Sequence, residues 1–135
     1  MVFADTNILL YSISVNPLET AKREIARQIL TSRHSAISVQ VLQEFYWQAT
    51  RGKERPTLTA WEARQAIERF CEMNLQDMTA RLFRSALATT ERYQIAYWDA
   101  AIIEAARALG CHTVLSEDLQ QGQDYGGVRV ENPFL

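Results

Sequence analysis

The chain has 135 residues, 47% of them hydrophobic and 22% charged, a balance that fits a globular protein and excludes intrinsic disorder. Its longest apolar runs, such as Ile8-Leu9-Leu10-Tyr11, are too short to span a bilayer. The first residues lack the basic and apolar regions of a secretory signal, so a cytoplasmic protein is expected. The net charge of −2, from 14 basic and 16 acidic residues, shows no basic excess of the kind typical of nucleic-acid binders. Acids that hold a metal ion would enter that sum, so charge neither supports nor excludes such a partner.

Val2-Phe3-Ala4 reads as a first strand, turning at Asp5-Thr6-Asn7 into a helical turn over 8–11. Pro17 and Glu19 open an amphipathic helix predicted to run to about Thr31, because proline suits a first helical turn. Ala36-Ile37-Ser38 is a second strand, followed by a helix over 39–51 and a break at Gly52-Lys53-Glu54-Arg55-Pro56. A helix restarts over 59–72, with Thr59 as N-cap and Glu62 completing a capping box. Asn74-Leu75-Gln76 is a brief strand, and 79–93 and 97–109 are helices, the second stopped by Gly110. Residues 112–116 form the clearest strand and 128–130 a last short one. Short strands alternating with longer helices predict an α/β domain, a parallel sheet of four to five strands with helices on both faces. No repeat or linker divides the chain, and one domain over 1–135 is expected. Cys71 and Cys111 lack CxxC pairing and histidines at ligand spacing, and are read as two reduced core thiols.

Functional groups of open α/β sheets collect beyond the carboxyl ends of the strands. Asp5 follows the first strand directly and Asp118 follows the strand at 112–116 by two residues, so both belong at one sheet edge. Each also fits as a helix N-cap. Asp99 stands beside the apolar stripe Trp98, Ile102, Ala105, Ala106 and Leu109 of its helix, and no Lys or Arg occurs between positions 93 and 104. A carboxylate at the margin of an apolar face needs a base, a proton or a metal to neutralise it. Glu44 falls outside the buried arc of Val41, Leu42, Phe45, Tyr46 and Ala49, so by pattern alone it is a solvated residue near the same edge. Converging carboxylates repel, and hard divalent cations with oxygen ligands relieve that repulsion. Such a site suits phosphodiester hydrolysis.

Four segments, taken in order, resemble PIN-domain nucleases. They are Phe3-Ala4-Asp5-Thr6-Asn7, Ile37-Ser38-Val39-Gln40-Val41-Leu42-Gln43-Glu44-Phe45, Tyr97-Trp98-Asp99-Ala100-Ala101-Ile102 and Val114-Leu115-Ser116-Glu117-Asp118. The ending, from Asp118-Leu119-Gln120-Gln121-Gly122 to Asn132-Pro133-Phe134, is similar to bacterial VapC-type toxins of toxin–antitoxin pairs. The resemblance implies a three-layer PIN-like fold and an acidic quartet of Asp5, Glu44, Asp99 and Asp118 that binds Mg²⁺, or Mn²⁺. It implies cleavage of structured RNA, tRNA or rRNA, by a metal-activated water, leaving 5′-phosphate and 3′-hydroxyl ends. Thr6, Asn7 and Ser116 match its small polar residues that orient the carboxylates. Glu117 stands beside the fourth acid, although the spacing Ser-x-Asp favours Asp118. A homodimer and a cognate antitoxin that covers the acidic pocket are further implications.

Arg51, Lys53 and Arg55 form the densest basic cluster and are candidate RNA-phosphate contacts, with a solvated helix end as the other reading. Tyr46, Trp47, Tyr97 and Trp98 are read as packing groups in a core or interface, base stacking being the alternative. His34 and His112 are read as structural. A phosphoacceptor domain would need a lysine after a late strand, whereas Lys22 and Lys53 are both early. A dehalogenase-like phosphatase would need a second Asp where Asn7 stands. The remaining alternative is a non-catalytic PIN-like binding module acting through a protein partner.

Overall fold

A computed structural model describes residues 1–51 and 57–135. In chain order the elements are β1 (Val2–Ala4), α1 (Thr6–Ser12), a 3₁₀ turn (Pro17–Glu19), α2 (Thr20–Thr31), β2 (Ser35–Ser38) and α3 (Val39–Thr50). These are followed by α4 (Ala60–Phe70), β3 (Asn74–Gln76), α5 (Ala80–Tyr93), α6 (Tyr97–Ala108), β4 (Thr113–Leu115) and β5 (Arg129–Glu131).

Side-chain caps set most helix starts. Asp5, Ser38, Thr59 and Thr79 each accept a backbone N–H at the head of α1, α3, α4 and α5, which satisfies a donor that has no intrahelical partner. The box at α4 is reciprocal: Thr59 accepts from Glu62 N at 3.1 Å and Glu62 accepts from Thr59 N at 3.0 Å. The helix expected from Pro17 begins instead as a 3₁₀ turn, because the Asn16 side chain accepts from Leu18 N and tightens the entry. Helix α6 ends before Gly110, whose φ of 78° is a left-handed conformation suited to glycine.

The five strands form one sheet in the order β3-β2-β1-β4-β5, and every neighbouring pair is parallel. All four residues of β2 are buried, as is usual for a parallel strand covered on both faces. Helix α1 packs on α2 and α3, and α3 on α4; α5 packs on α6, which runs over β2, β3 and β4. Right-handed crossovers place these two groups of helices on opposite faces, completing three layers. Phe3, Ile8, Ile37, Phe45, Ile103 and Val114 fill the core between them.

The topology also creates the crevice. From β1 the chain moves to β2 and then β3 on one side, and after α5 and α6 it returns to β4 on the other side of β1. Strand order therefore reverses between β1 and β4, and a crevice opens at their carboxyl ends. Arg107 anchors α6 to the turn that precedes β5: its Nη1 donates to Gly126 O at 2.8 Å and its Nε to Glu104 of the same helix at 3.0 Å.

Two expectations change. Cys111 is buried but Cys71 is exposed, so only one of the two free thiols belongs to the core, because Cys71 follows the last turn of α4 on its outer side. Trp98 is 64% exposed and does not share the buried stripe of α6. That helix is buried continuously from residue 100 to 106, so only its two ends reach the surface. Among the described residues, no helix is long and apolar enough to cross a membrane.

Candidate metal centre

Four separate segments deliver Asp5, Glu44, Asp99 and Asp118 to one cavity of about 290 Å³ at the β1/β4 crevice. Asp5 is the first residue after β1, and its backbone N donates to Leu115 O of β4 at 3.0 Å, so the sheet itself sets its position. Asp118 lies in the loop after β4. Glu44 is on the second turn of α3, and Asp99 is the third residue of α6.

Three of the acids are held by small polar side chains. Ser116 Oγ donates to Asp5 Oδ2 at 2.7 Å, while Asp5 Oδ1 accepts from Thr6 N at 2.7 Å. Asp5 therefore caps α1 and faces the cavity together; the two readings of this residue coexist. Thr6 Oγ1 donates to Glu44 Oε2 at 2.5 Å, and Asn7 Nδ2 donates to Asp118 Oδ2 at 3.2 Å. Ser116 Oγ also accepts from the backbone N of Asp118 at 3.1 Å, which shapes the loop bearing that acid. No helix follows Asp118, so it caps none. Thr6, Asn7 and Ser116 are themselves buried. Glu44, expected in solvent, is half-buried because α3 lies against α1 and brings it to Thr6.

Asp99 differs from the rest. Among the described residues it has no hydrogen-bond or ion-pair partner, although it is half-buried in the cavity wall. Burial, then the charges of Glu44 and Asp118, push its carboxyl above the ordinary value of 3.8. Asp5 is pushed up to about 6. Desolvation is the main cause there, opposed by the bonds from Ser116 and Thr6 and assisted by the charges of Glu44 and Asp118. Asp5 and Asp99 thus feel the like charge of Glu44 and Asp118 from partly dry positions, whereas Asp118 itself is exposed.

The donor set is all carboxylate oxygen, the chemistry of Mg²⁺ and Mn²⁺ rather than of zinc or copper. Among the described residues, no three His, Cys, Asp or Glu side chains are drawn together tightly enough to enclose an ion as they lie. Mg²⁺ does not require that, since it keeps several waters and takes one or two carboxylates. The unpartnered Asp99 and the raised Asp5 fit such an ion.

Glu117 lines the same cavity, yet its carboxylate pairs with Lys22 Nζ at 2.8 Å and accepts from the Tyr11 hydroxyl. Lys22 and Tyr11 hold it below the ordinary glutamate range, against the opposing effect of burial. Arg51 lies at the end of α3 with its guanidinium 4.3 Å from the Trp47 ring centre. Lys53 and Arg55 fall outside the described residues. Tyr46, Trp47 and Trp98 are 42%, 58% and 64% exposed, so they do not pack in the core, and of the expectations for them an interface or base stacking remains. His34 and His112 do not line the cavity.

Sequence reasoning missed Gln40. It is 3% exposed, and its Nε2 donates to Glu44 Oε1 at 3.0 Å and to the backbone O of Trp98 at 3.1 Å. This one amide joins α3 to the first turn of α6, next to Asp99. Its Oε1 is buried without a partner, a cost that packing alone would not retain. A polar residue one turn before Glu44 was the available signal, but its second partner lies 58 residues away.

A family model described as PIN domain matches residues 2–123. None of the curated protein sequences matches the chain. Several solved structures share the fold. A toxin–antitoxin complex from Klebsiella pneumoniae is 19% identical with a TM-score of 0.69, over 98% of each chain. DNA-bound VapBC from Salmonella typhimurium is 21% identical with a TM-score of 0.65, over 98% of this chain and 97% of that one. Mycobacterium tuberculosis VapC20, a toxin that cleaves the sarcin–ricin loop, is 16% identical with a TM-score of 0.66, over 84% of this chain and 87% of that one.

Proposed function

The chain belongs to the PIN-domain family, and from that membership and the acid cavity we propose that it is a metal-dependent endoribonuclease of the VapC toxin type. The observation that carries the reading is the delivery of four carboxylates from four segments to one crevice, three of them held by Ser116, Thr6 and Asn7. Holding acids together against their mutual repulsion costs stability, and the arrangement makes sense where a cation completes the site.

Asp5 and Asp99 would hold a Mg²⁺ or Mn²⁺ ion, with Glu44 and Asp118 contacting it or its waters. Such an ion supplies charge to clamp a phosphodiester and to make a water nucleophilic near neutral pH. The chain's own residues do the positioning. Ser116 and Thr6 N direct the Asp5 lone pairs, Thr6 and Gln40 hold both oxygens of Glu44, and Asn7 steadies the Asp118 loop. Among the described residues Asp99 has no bond, so its oxygens are free for the ion or for a proton in transit.

The substrate class is structured RNA of the translation machinery, in keeping with the activity named for VapC20. The partner is a protein antitoxin, since the relatives from Klebsiella and Salmonella were solved with theirs. A cytoplasmic homodimer completes the proposal.

The test is cleavage of total RNA by the purified chain with Mg²⁺ or Mn²⁺, followed by mapping of the new ends. Discrete cuts leaving 5′-phosphate and 3′-hydroxyl are expected, abolished by EDTA and by Asp99→Asn. Ends carrying 2′,3′-cyclic phosphate, or equal cutting by the variant, would overturn the mechanism. Ion binding without any cleavage would replace it by the binding-module reading.

A further inference from the structure

The acid cavity is walled on one side by Trp98, which is nevertheless 64% exposed. Tyr97 meets its ring edge-on, with centroids 5.0 Å apart and planes at 78°. Tyr97 is in turn edge-on to Phe83 at 5.6 Å. The backbone carbonyl of Trp98 is tied to the buried Gln40. The backbone of Trp98 is thus anchored and its indole is braced by Tyr97, while most of the ring stays open beside the carboxylate of Asp99.

A second feature continues from the same cavity. On α3, Glu44 and Gln48 line the cavity, and Trp47 stands between them in sequence, 58% exposed. Arg51 follows Trp47 by four residues and lies over its ring at 4.3 Å. Residues four apart share a helix face, and the seven residues from Glu44 to Arg51 span about 10 Å along the axis. The ridge thus runs from a carboxylate to an aromatic platform to a cation.

We propose that Trp98, with Trp47 and Arg51, forms a stacking subsite for unpaired nucleotides flanking the scissile phosphate. Every base has a π-face that an indole accepts irrespective of sequence, and a guanidinium beside the ring contacts the backbone phosphate. Base-paired nucleotides hide both faces, so the subsite selects a loop or single strand over a duplex. The charge argues for nucleic acid over an apolar protein surface, since a cation is placed over the ring of Trp47. The inference deepens the ribonuclease reading by naming which part of the RNA is gripped.

Binding is measured in EDTA, so that no cleavage occurs, with an unpaired oligoribonucleotide and indole fluorescence, in a Trp61→Phe background. Trp61 is exposed on α4 and does not line the cavity. The oligonucleotide should quench the remaining indoles. Trp98→Leu should weaken binding about ten-fold, the usual loss for one stacked base, while Trp98→Phe retains most of it. A duplex of the same sequence should not compete. Unquenched fluorescence, or equal affinity in Trp98→Leu, overturns the subsite even if the enzyme cleaves RNA. Quenching by a chain that never cleaves leaves the subsite standing and removes the nuclease reading. Loss of self-association in Trp98→Leu with unchanged oligonucleotide affinity would give this surface to a second copy of the chain and overturn the proposal.

Discussion

Asp5 is the most deeply buried of the four acids, 7% exposed, and it feels the charges of Glu44 and Asp118. Its carboxyl is pushed up to about 6 from 3.8, mainly by desolvation. A folded value above the unfolded one means that the folded chain binds the proton more tightly. The associated stability is complete below about pH 4 and is lost as pH rises through about 6, a change on the order of 3 kcal/mol. In ion-free buffer at pH 8, Asp5→Asn should therefore be more stable than wild type. One weakened bond, to Ser116 or Thr6, offsets about 1 kcal/mol of that gain. A melting temperature higher by a few degrees at pH 8, with the difference vanishing near pH 4, is the expected result. A variant less stable than wild type at both pH values would show that the bonds to Asp5, and not its burial as a charge, dominate. The position of Asp5 was legible from three residues of apolar strand followed by an acid. Its double role, as cap and as cavity wall, was not, because the hydroxyl on its second oxygen comes from Ser116, 111 residues away.

The same distinction holds between elements. Start and stop signals for helices are local, so the capping box at Thr59, the proline at 17 and the glycine at 110 placed their helices within a residue or a few. The burial of a helix face is not local. Helix α6 is enclosed by α5, β2, β3 and β4, which removes the contrast between faces on which periodicity depends. The apolar stripe held at Ile102, Ala105 and Ala106 and failed at Trp98, which lies on the exposed first turn, while Asp99, on the same turn, came out at the margin of the core. The bridge from Gln40 to Glu44 and Trp98 lies at this scale too, because it sets α3 against α6. Gln40→Met keeps the volume and removes the orphaned oxygen, so the fold should be retained with a melting temperature within a few degrees of wild type. The affinity for Mn²⁺ should fall about ten-fold, as is usual when an outer partner of a ligating carboxylate is lost. Unchanged affinity in a folded variant would make Gln40 a packing residue only.

At the scale of the whole molecule, alternating strands and helices were enough to predict a parallel sheet between two layers of helices. Strand order was not available from the sequence, yet it decides where the crevice opens. Returning the chain from β3 to the far side of β1 is what puts Asp5 and Asp118 side by side. With α3 and α6 on opposite faces, Glu44 and Asp99 then approach the same point from either layer. A net charge of −2 says little about the partner when a group of its acids is gathered at one site. Calorimetric titration of Mn²⁺ into the purified chain at pH 7.5, beside Asp5→Asn and Asp99→Asn, tests the convergence most directly. Saturable binding to wild type, lost in both folded variants, is the result predicted. Absence of binding to wild type, or equal binding by all three, would contradict the metal centre.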